Sequence, residues 1–227
     1  MTTTELCLFV SNWKAPLTEP ASAKKNLELR RTPAQGRAKR SIERIFEATK
    51  RLLDTGGLDQ LNTNRIAAAA DVSTGAIYNF FPNKEAILFS IVEGWLSGLQ
   101  EGYIAALHSV TQQATPFQWI DLIVLRNAAL YDDEPVIAKY YNALTIMPDL
   151  RKLDAQHDDE VGNLMVSAQL KFAPALCPVQ AKANATTMIL MIHSVLSNSV
   201  AQSPEFSAKM RKELRFCLNA IVAKYLV

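Results

Sequence analysis

The chain is poor in what many protein classes require. Its 3 cysteines, Cys7, Cys177 and Cys217, are odd in number and lack CxxC spacing, so neither a disulfide framework nor a cysteine-built zinc site is indicated. A reduced, cytoplasmic setting is the plain expectation. Glycine is scarce, at 8 of 227 residues, and the apolar runs favour helix formers over β-branched alternation. That points to an all-α chain of about nine helices. No HExxH, P-loop, GxSxG or GxGxxG occurs, and His108, His157 and His193 fall on separate expected helices without paired-ligand spacing. His157-Asp158-Asp159-Glu160 is metal-like in composition, but neighbours along a helix point apart and are not expected to converge on one ion. Catalytic residues, metal and cofactor are therefore all expected to be none. Leu6 to Val10 is too short an apolar run for a secretion signal. The one long uncharged stretch, Ala183 to Pro204, carries Asn184, Thr186, Thr187, His193, Ser194, Ser197, Asn198, Ser199 and Gln202. It reads as a buried or interface helix, not a membrane span.

What is present is concentrated in Asn62 to Lys84, NTNRIAAAADVSTGAIYNFFPNK. Asn62 and Thr63 are capping residues just before Ile66, Ala67 and Ala70, an apolar set at helical spacing. Asp71-Val72-Ser73 interrupts the pattern, and Ser73 caps a second short helix, Thr74 to Phe81, whose inner face is Ile77 and Phe81. Pro82-Asn83 ends it, because proline disfavours helical geometry in the preceding residue. This is helix–turn–helix punctuation. It leaves Thr74, Gly75, Ala76, Tyr78 and Asn79 outward. Small residues at the start of that face allow close approach to base edges in a major groove, and Thr74 and Asn79 can hydrogen-bond there. Tyr78 and Lys84 are typed for phosphate, Thr63 is expected beside them, and Asn64 and Ser73 are further DNA-binding candidates.

The run TNRIAAAADVSTGAIYNFFPNKEAIL resembles the DNA-binding signature of the tetracycline-repressor (TetR) family. Ile66-Ala67, Val72-Ser73, Gly75, Ile77-Tyr78, Phe81 and Lys84-Glu85 stand at that family's spacing, and with the preceding helix the likeness covers about a quarter of the chain. Asp71 departs from the usual turn glycine, although Asp tolerates left-handed geometry better than most residues. Phe80 replaces the histidine that many members aim at phosphate. The resemblance implies a three-helix DNA-binding domain followed by a helical ligand-binding and dimerisation domain.

Charge distribution agrees with a DNA-binding head. Residues 1–84 hold 13 Lys and Arg against 8 Asp and Glu, and residues 85–227 hold 11 against 14. Residues 1–32 lack periodicity and read as a mobile leader whose basic run, continuing to Arg40, can follow phosphates. A helix from about Pro33 or Ala34 to Asp54 buries Ile42, Ile45, Phe46, Thr49, Leu52 and Leu53, and Gly56-Gly57 stop it. The DNA-binding domain is then 33–84 and the effector-binding and dimerisation domain 85–227. A long helix from Lys84 to about Ser109 joins them. Pro116, Pro135, Pro148, Pro178 and Pro204 punctuate the helices beyond.

The last two helices carry apolar stripes that suit a homodimer, through Val195, Phe206, Met210, Leu214, Leu218 and Ile221. Two heads on one duplex read a palindrome that one head alone binds weakly. Family members hold a small effector in the C-terminal domain. Here Trp119, Asn127, Tyr131, Tyr140, Met165, Gln169, Met188, Met191 and His193 are the candidate lining for an apolar or aromatic molecule. The expected function is a repressor on double-stranded DNA, relieved by that effector. The alternative is a DNA-binding factor controlled by a protein partner, or an architectural one, with no small-molecule effector.

Overall fold

The computed structural model describes residues 36–111, 114–144 and 147–225. The leader, most of its basic run and the expected start of the first helix lie outside the described residues. Among the described residues there are nine α-helices, one 3-10 turn and no strand, so the all-α expectation holds. The chain divides into two compact units within one long helix, between Trp95 and Leu96.

In the N-terminal unit, helix α1 (Gly36–Gly56) buries Ile42, Ile45, Ala48, Thr49 and Leu53 along one stripe. Thr49 is admitted to that core because its hydroxyl donates to the Ile45 carbonyl at 2.8 Å. Phe46 is only half-covered, with its ring 5.8 Å from that of Phe81. The helix stops at Gly57, whose φ of 68° suits glycine, and a 3-10 turn follows at Leu58–Gln60.

Helix α2 (Thr63–Ala70) starts where the Asn62 side chain accepts the Arg65 N–H at 2.9 Å. It ends at Asp71, whose φ of 51° and ψ of 52° are left-handed, the geometry expected of an Asp standing in for glycine. Two guanidinium groups from α1 cover that end. Arg44 donates to the Asp71 carbonyl at 2.9 Å and to its carboxylate at 2.7 Å, and Arg51 donates to the Ala69 carbonyl at 2.9 Å. Helix α3 (Thr74–Phe80) follows, capped by Ser73, which accepts the Ala76 N–H at 3.1 Å. Phe81 is already extended before Pro82. Helix α4 (Lys84–Thr111) begins with Asn83 accepting the Ala86 N–H at 2.8 Å and runs on past Trp95 into the second unit.

The C-terminal unit continues with α5 (Pro116–Asp133), α6 (Pro135–Leu144), α7 (Pro148–Phe172), α8 (Pro178–Ser199) and α9 (Pro204–Ala223). Each opens on the proline expected to open it, where the missing N–H is not needed and φ is already helical. Thr115 and Gln118 close a reciprocal capping box at the start of α5. Helix α8 packs against α7 and α9 and also touches α5 and α6. A bidentate pair from Arg211 to Asp132, at 2.7 and 2.5 Å, ties α9 to α5. Between α7 and α8, the buried Gln169 amide donates to the Ala181 carbonyl and accepts from Asn184, both at 3.1 Å. No described helix is long and apolar enough to cross a membrane.

Two expectations are corrected. Leu214 and Leu218 are 2% and 0% exposed inside one subunit, so they cannot offer a face to a second copy. Val195, Met210 and Ile221 are partly covered, and Phe206 stays open. Cys177, at the start of α8, is disulfide-bonded, whereas Cys217 is free and exposed.

The left-handed turn gives a stability test. Both Asp71→Ala and Asp71→Gly remove the exposed Arg44 pair, but only alanine retains the steric cost of positive φ. Thermal unfolding is expected to rank the glycine variant above the alanine variant by about 1 kcal/mol.

Candidate nucleic-acid interface and core polar cluster

Helix α3 is anchored from below and bare above. Ile77 and Phe81 are both 0% exposed, while Gly75, Tyr78 and Asn79 face solvent and Thr74 and Ala76 are half-covered. A Cβ added at Gly75 would meet nothing nearer than the Ser73 hydroxyl at 3.9 Å, so the small-residue patch is open space, not a packing contact. This is the surface that a helix entering a major groove must present.

The polar residues around it are paired across the motif. Thr63 Oγ1 and Tyr78 Oη lie 3.2 Å apart, joining the first turn of α2 to the middle of α3. Thr74 donates to the Asn64 side chain at 3.4 Å. Lys84 Nζ donates to the Leu61 carbonyl at 3.0 Å, so this ammonium pins the start of α4 to the segment before α2. Its expected phosphate role would have to share that bond. Arg65, exposed in the first turn of α2 and donating to the Gln60 side chain, is a cation beside this surface that the sequence reading overlooked. Its signal was there: a basic residue in the first turn behind a capping Asn faces the same side as the cap.

Residues 45–91 match the family model for bacterial regulatory proteins of the tetR family. The head thus resembles the DNA-binding domain of that family. Over 75 residues the chain is 35% identical to an HTH-type transcriptional regulator of Haemophilus influenzae, a match covering 33% of this chain and 38% of that one. Over 125 residues it is 26% identical to the HTH-type transcriptional repressor KstR of Mycobacterium tuberculosis, covering 55% and 54%. The chain thus spans about half or less of the curated relatives it matches. In fold it is similar to TetR-family structures from Syntrophomonas wolfei, with TM-score 0.65, 13% identity and coverage of 82% and 96%. It is likewise similar to one from Mesorhizobium loti, with TM-score 0.64, 16% identity and coverage of 85% and 100%.

Beyond this head, the C-terminal unit gathers some of the expected effector residues and scatters others. Trp119, Asn127, Tyr131, Met165, Gln169 and Met188 are buried, and Tyr140, Met191 and His193 are half-covered. Trp119 lies against the Phe172 ring at 5.8 Å, and Tyr140 lies beneath the Lys139 ammonium. Gln169 is engaged at both ends of its amide, as described. Tyr131 and His193, in contrast, belong to a polar cluster that the sequence reading did not assemble.

That cluster joins α5, α6, α7 and α8. Tyr131 Oη meets His193 Nδ1 at 2.6 Å, the Tyr141 ring stacks on the His193 ring, and Tyr141 donates its hydroxyl to Asp154. His157 packs edge-on to His193 with ring centroids 6.1 Å apart, and Asp158 Oδ1 lies 3.9 Å from His193 Nε2. Burial pulls both imidazoles down, each to about 4, so both are neutral at pH 7. Burial, and then the neighbouring Asp154 and Asp159, push the Asp158 carboxyl up to about 6. Tyr103, Tyr131 and Tyr141 are raised first by burial and further by carboxylates of this cluster. The expectation that adjacent helix positions cannot converge fails here. His157 and Asp158 each bring one ligating atom to within 4.8 Å of the other and of His193.

Bulk placed on the bare face separates fold from DNA contact. Gly75→Leu is expected to leave the melting temperature no lower than that of the parent. It should weaken binding to duplex DNA at least about tenfold in a polarisation titration, because the side chain would occupy the groove-facing space.

Proposed function

We propose that this chain is a transcriptional repressor that binds a palindromic operator as a homodimer and is released by a small apolar or aromatic effector. The observation that carries the reading is the exposed face of α3 at Gly75 and Asn79, with the half-covered Ala76 between them, over the buried Ile77 and Phe81. In this reading Thr74 and Asn79 contact base edges, while Thr63, Asn64, Ser73 and Tyr78 contact the backbone on either side. A repressor among the relatives, KstR, supports the sign of the regulation.

Dimerisation is supported by what the last two helices leave uncovered. Leu190 on α8 and Phe206 and Phe216 on α9 are 61%, 53% and 68% exposed, large apolar side chains on the same pair of helices. These replace Leu214 and Leu218 as the candidate contact residues. An apolar effector suits a C-terminal unit whose buried residues include Trp119, Met165 and Met188. Release requires the effector to favour one arrangement of the two heads over another, since equal affinity for both shifts nothing. The domain limits we adopt are a head at 33–84 and an effector and dimerisation domain at 85–227, acting in the cytoplasm on chromosomal DNA.

Selecting bound fragments from random duplex DNA tests the dimer and the reading helix together. The expected outcome is an enriched inverted repeat with half-sites about one helical turn, or a multiple of it, apart. The Ala76→Trp variant is expected to recover no such sequence while remaining folded. A single unrepeated half-site, or no enrichment from the parent protein, refutes the proposal.

A further inference from the structure

We propose that His157, Asp158 and His193 form a binding site for one divalent transition-metal ion of the zinc class, held between α7 and α8. The first support is convergence: three residues from two packed helices bring one nitrogen or oxygen atom each to within 4.8 Å of the others. The separation of 3.9 Å between His193 Nε2 and Asp158 Oδ1 is too long for a hydrogen bond. It is close to the edge of about 3.4 Å that bond lengths of about 2.0–2.2 Å impose on a tetrahedral ion.

The second support is the state of those atoms. His157 Nε2, Asp158 Oδ1 and His193 Nε2 are all buried and have no hydrogen-bond partner among the described residues. Leaving such atoms unsatisfied costs a folded protein stability at each one, and natural cores avoid it. Here three lie together. No Lys or Arg pairs with Asp158 among the described residues, so its charge has no cation but what the site itself can admit. A cation bonded to all three removes the orphaned atoms and the uncompensated charge in one step.

The third support is the surrounding shell. Tyr131 meets the far nitrogen of His193 at 2.6 Å, the partner that a metal-bound imidazole needs to fix its tautomer and orientation. The Tyr141 ring stacks on the same imidazole, and its hydroxyl is held by Asp154 one turn before Asp158. The side chains of His193 and Asp158 remain 16% and 38% exposed, which leaves an entry route. Two imidazoles and a carboxylate suit zinc, cobalt or nickel, whereas magnesium and calcium favour all-oxygen sets. Three protein ligands leave a fourth position open to solvent or a small molecule.

The test uses the full chain, stripped with chelator and titrated with cobalt(II), then with zinc in competition. The expected result is one ion per chain with visible tetrahedral cobalt bands that zinc displaces and magnesium does not. Asp158→Asn and His193→Ala should each weaken cobalt binding more than about 100-fold, and Tyr131→Phe about tenfold, as loss of a supporting partner does. Duplex-DNA affinity without metal, measured in parallel, should be unchanged in all three. Absence of the bands with DNA binding intact overturns the metal site and leaves the regulator reading standing. Bands that survive Asp158→Asn, or that show thiolate charge transfer and vanish in Cys217→Ser, also overturn it. If His193→Ala fails to fold, the zinc-dependent rise in melting temperature of the parent and its reduction in Tyr131→Phe decide the matter, and no such rise refutes the site.

Discussion

A seven-residue helix has too few internal hydrogen bonds to persist in water, so α3 exists because Ile77 and Phe81 are buried beneath it. Burying two such side chains contributes about 1.5–3 kcal/mol each, enough to offset the nucleation cost of a short helix. Everything the head can do to DNA follows from that anchoring. The Ser73 cap sets where the helix starts, and the left-handed Asp71 turn sets its angle to α2. Arg44 and Arg51 hold that turn from α1. The outward side chains then inherit their positions without contributing to the packing that fixes them.

The C-terminal unit is organised differently. Its polar groups are not all at the surface: a buried Gln169–Asn184 clasp joins two helices with its amides engaged, while the more exposed Asp132–Arg211 pair ties α9 to α5 from outside. The Tyr131–His193–Asp158–His157 cluster differs: it is a group of titratable side chains drawn inward, where three atoms without hydrogen-bond partners among the described residues lie together. In a core of low effective dielectric, satisfied networks stiffen a fold and unsatisfied ones destabilise it. The contrast between the two kinds of buried polar group in one unit makes the unsatisfied one worth explaining.

How much of this could be read from residues alone depended on the range of the physics. Caps, prolines and turn residues act within four or five positions. So Asn62, Asp71, Ser73 and the opening prolines of α5 to α9 marked their elements with small error. The inner and outer faces of α3 followed from spacing. What failed needed a partner from elsewhere in the chain. The stripe on α9 showed that Leu214 and Leu218 would be covered, but an amphipathic stripe does not say by what. Lys84 looked like a phosphate ligand because nothing local revealed the Leu61 carbonyl beside it. His157 and His193 stand on different helices, and only the packing of α7 on α8 brings them together. A partial signal was present: Asp154, His157 and Asp158 stand at i, i+3 and i+4, one face of a helix, a spacing that the consecutive run from His157 to Glu160 masks.

The division of labour within α3 also bears on how such a protein diverges. Gly75 and Asn79 are exposed on α3, outside the buried pair beneath it, so changes there are screened by the target sequence more than by foldability. Duplicated copies of this gene could therefore acquire new genomic addresses through a few outward substitutions. Ile77 and Phe81, in turn, would stay nearly invariant across descendants that no longer recognise the same promoter.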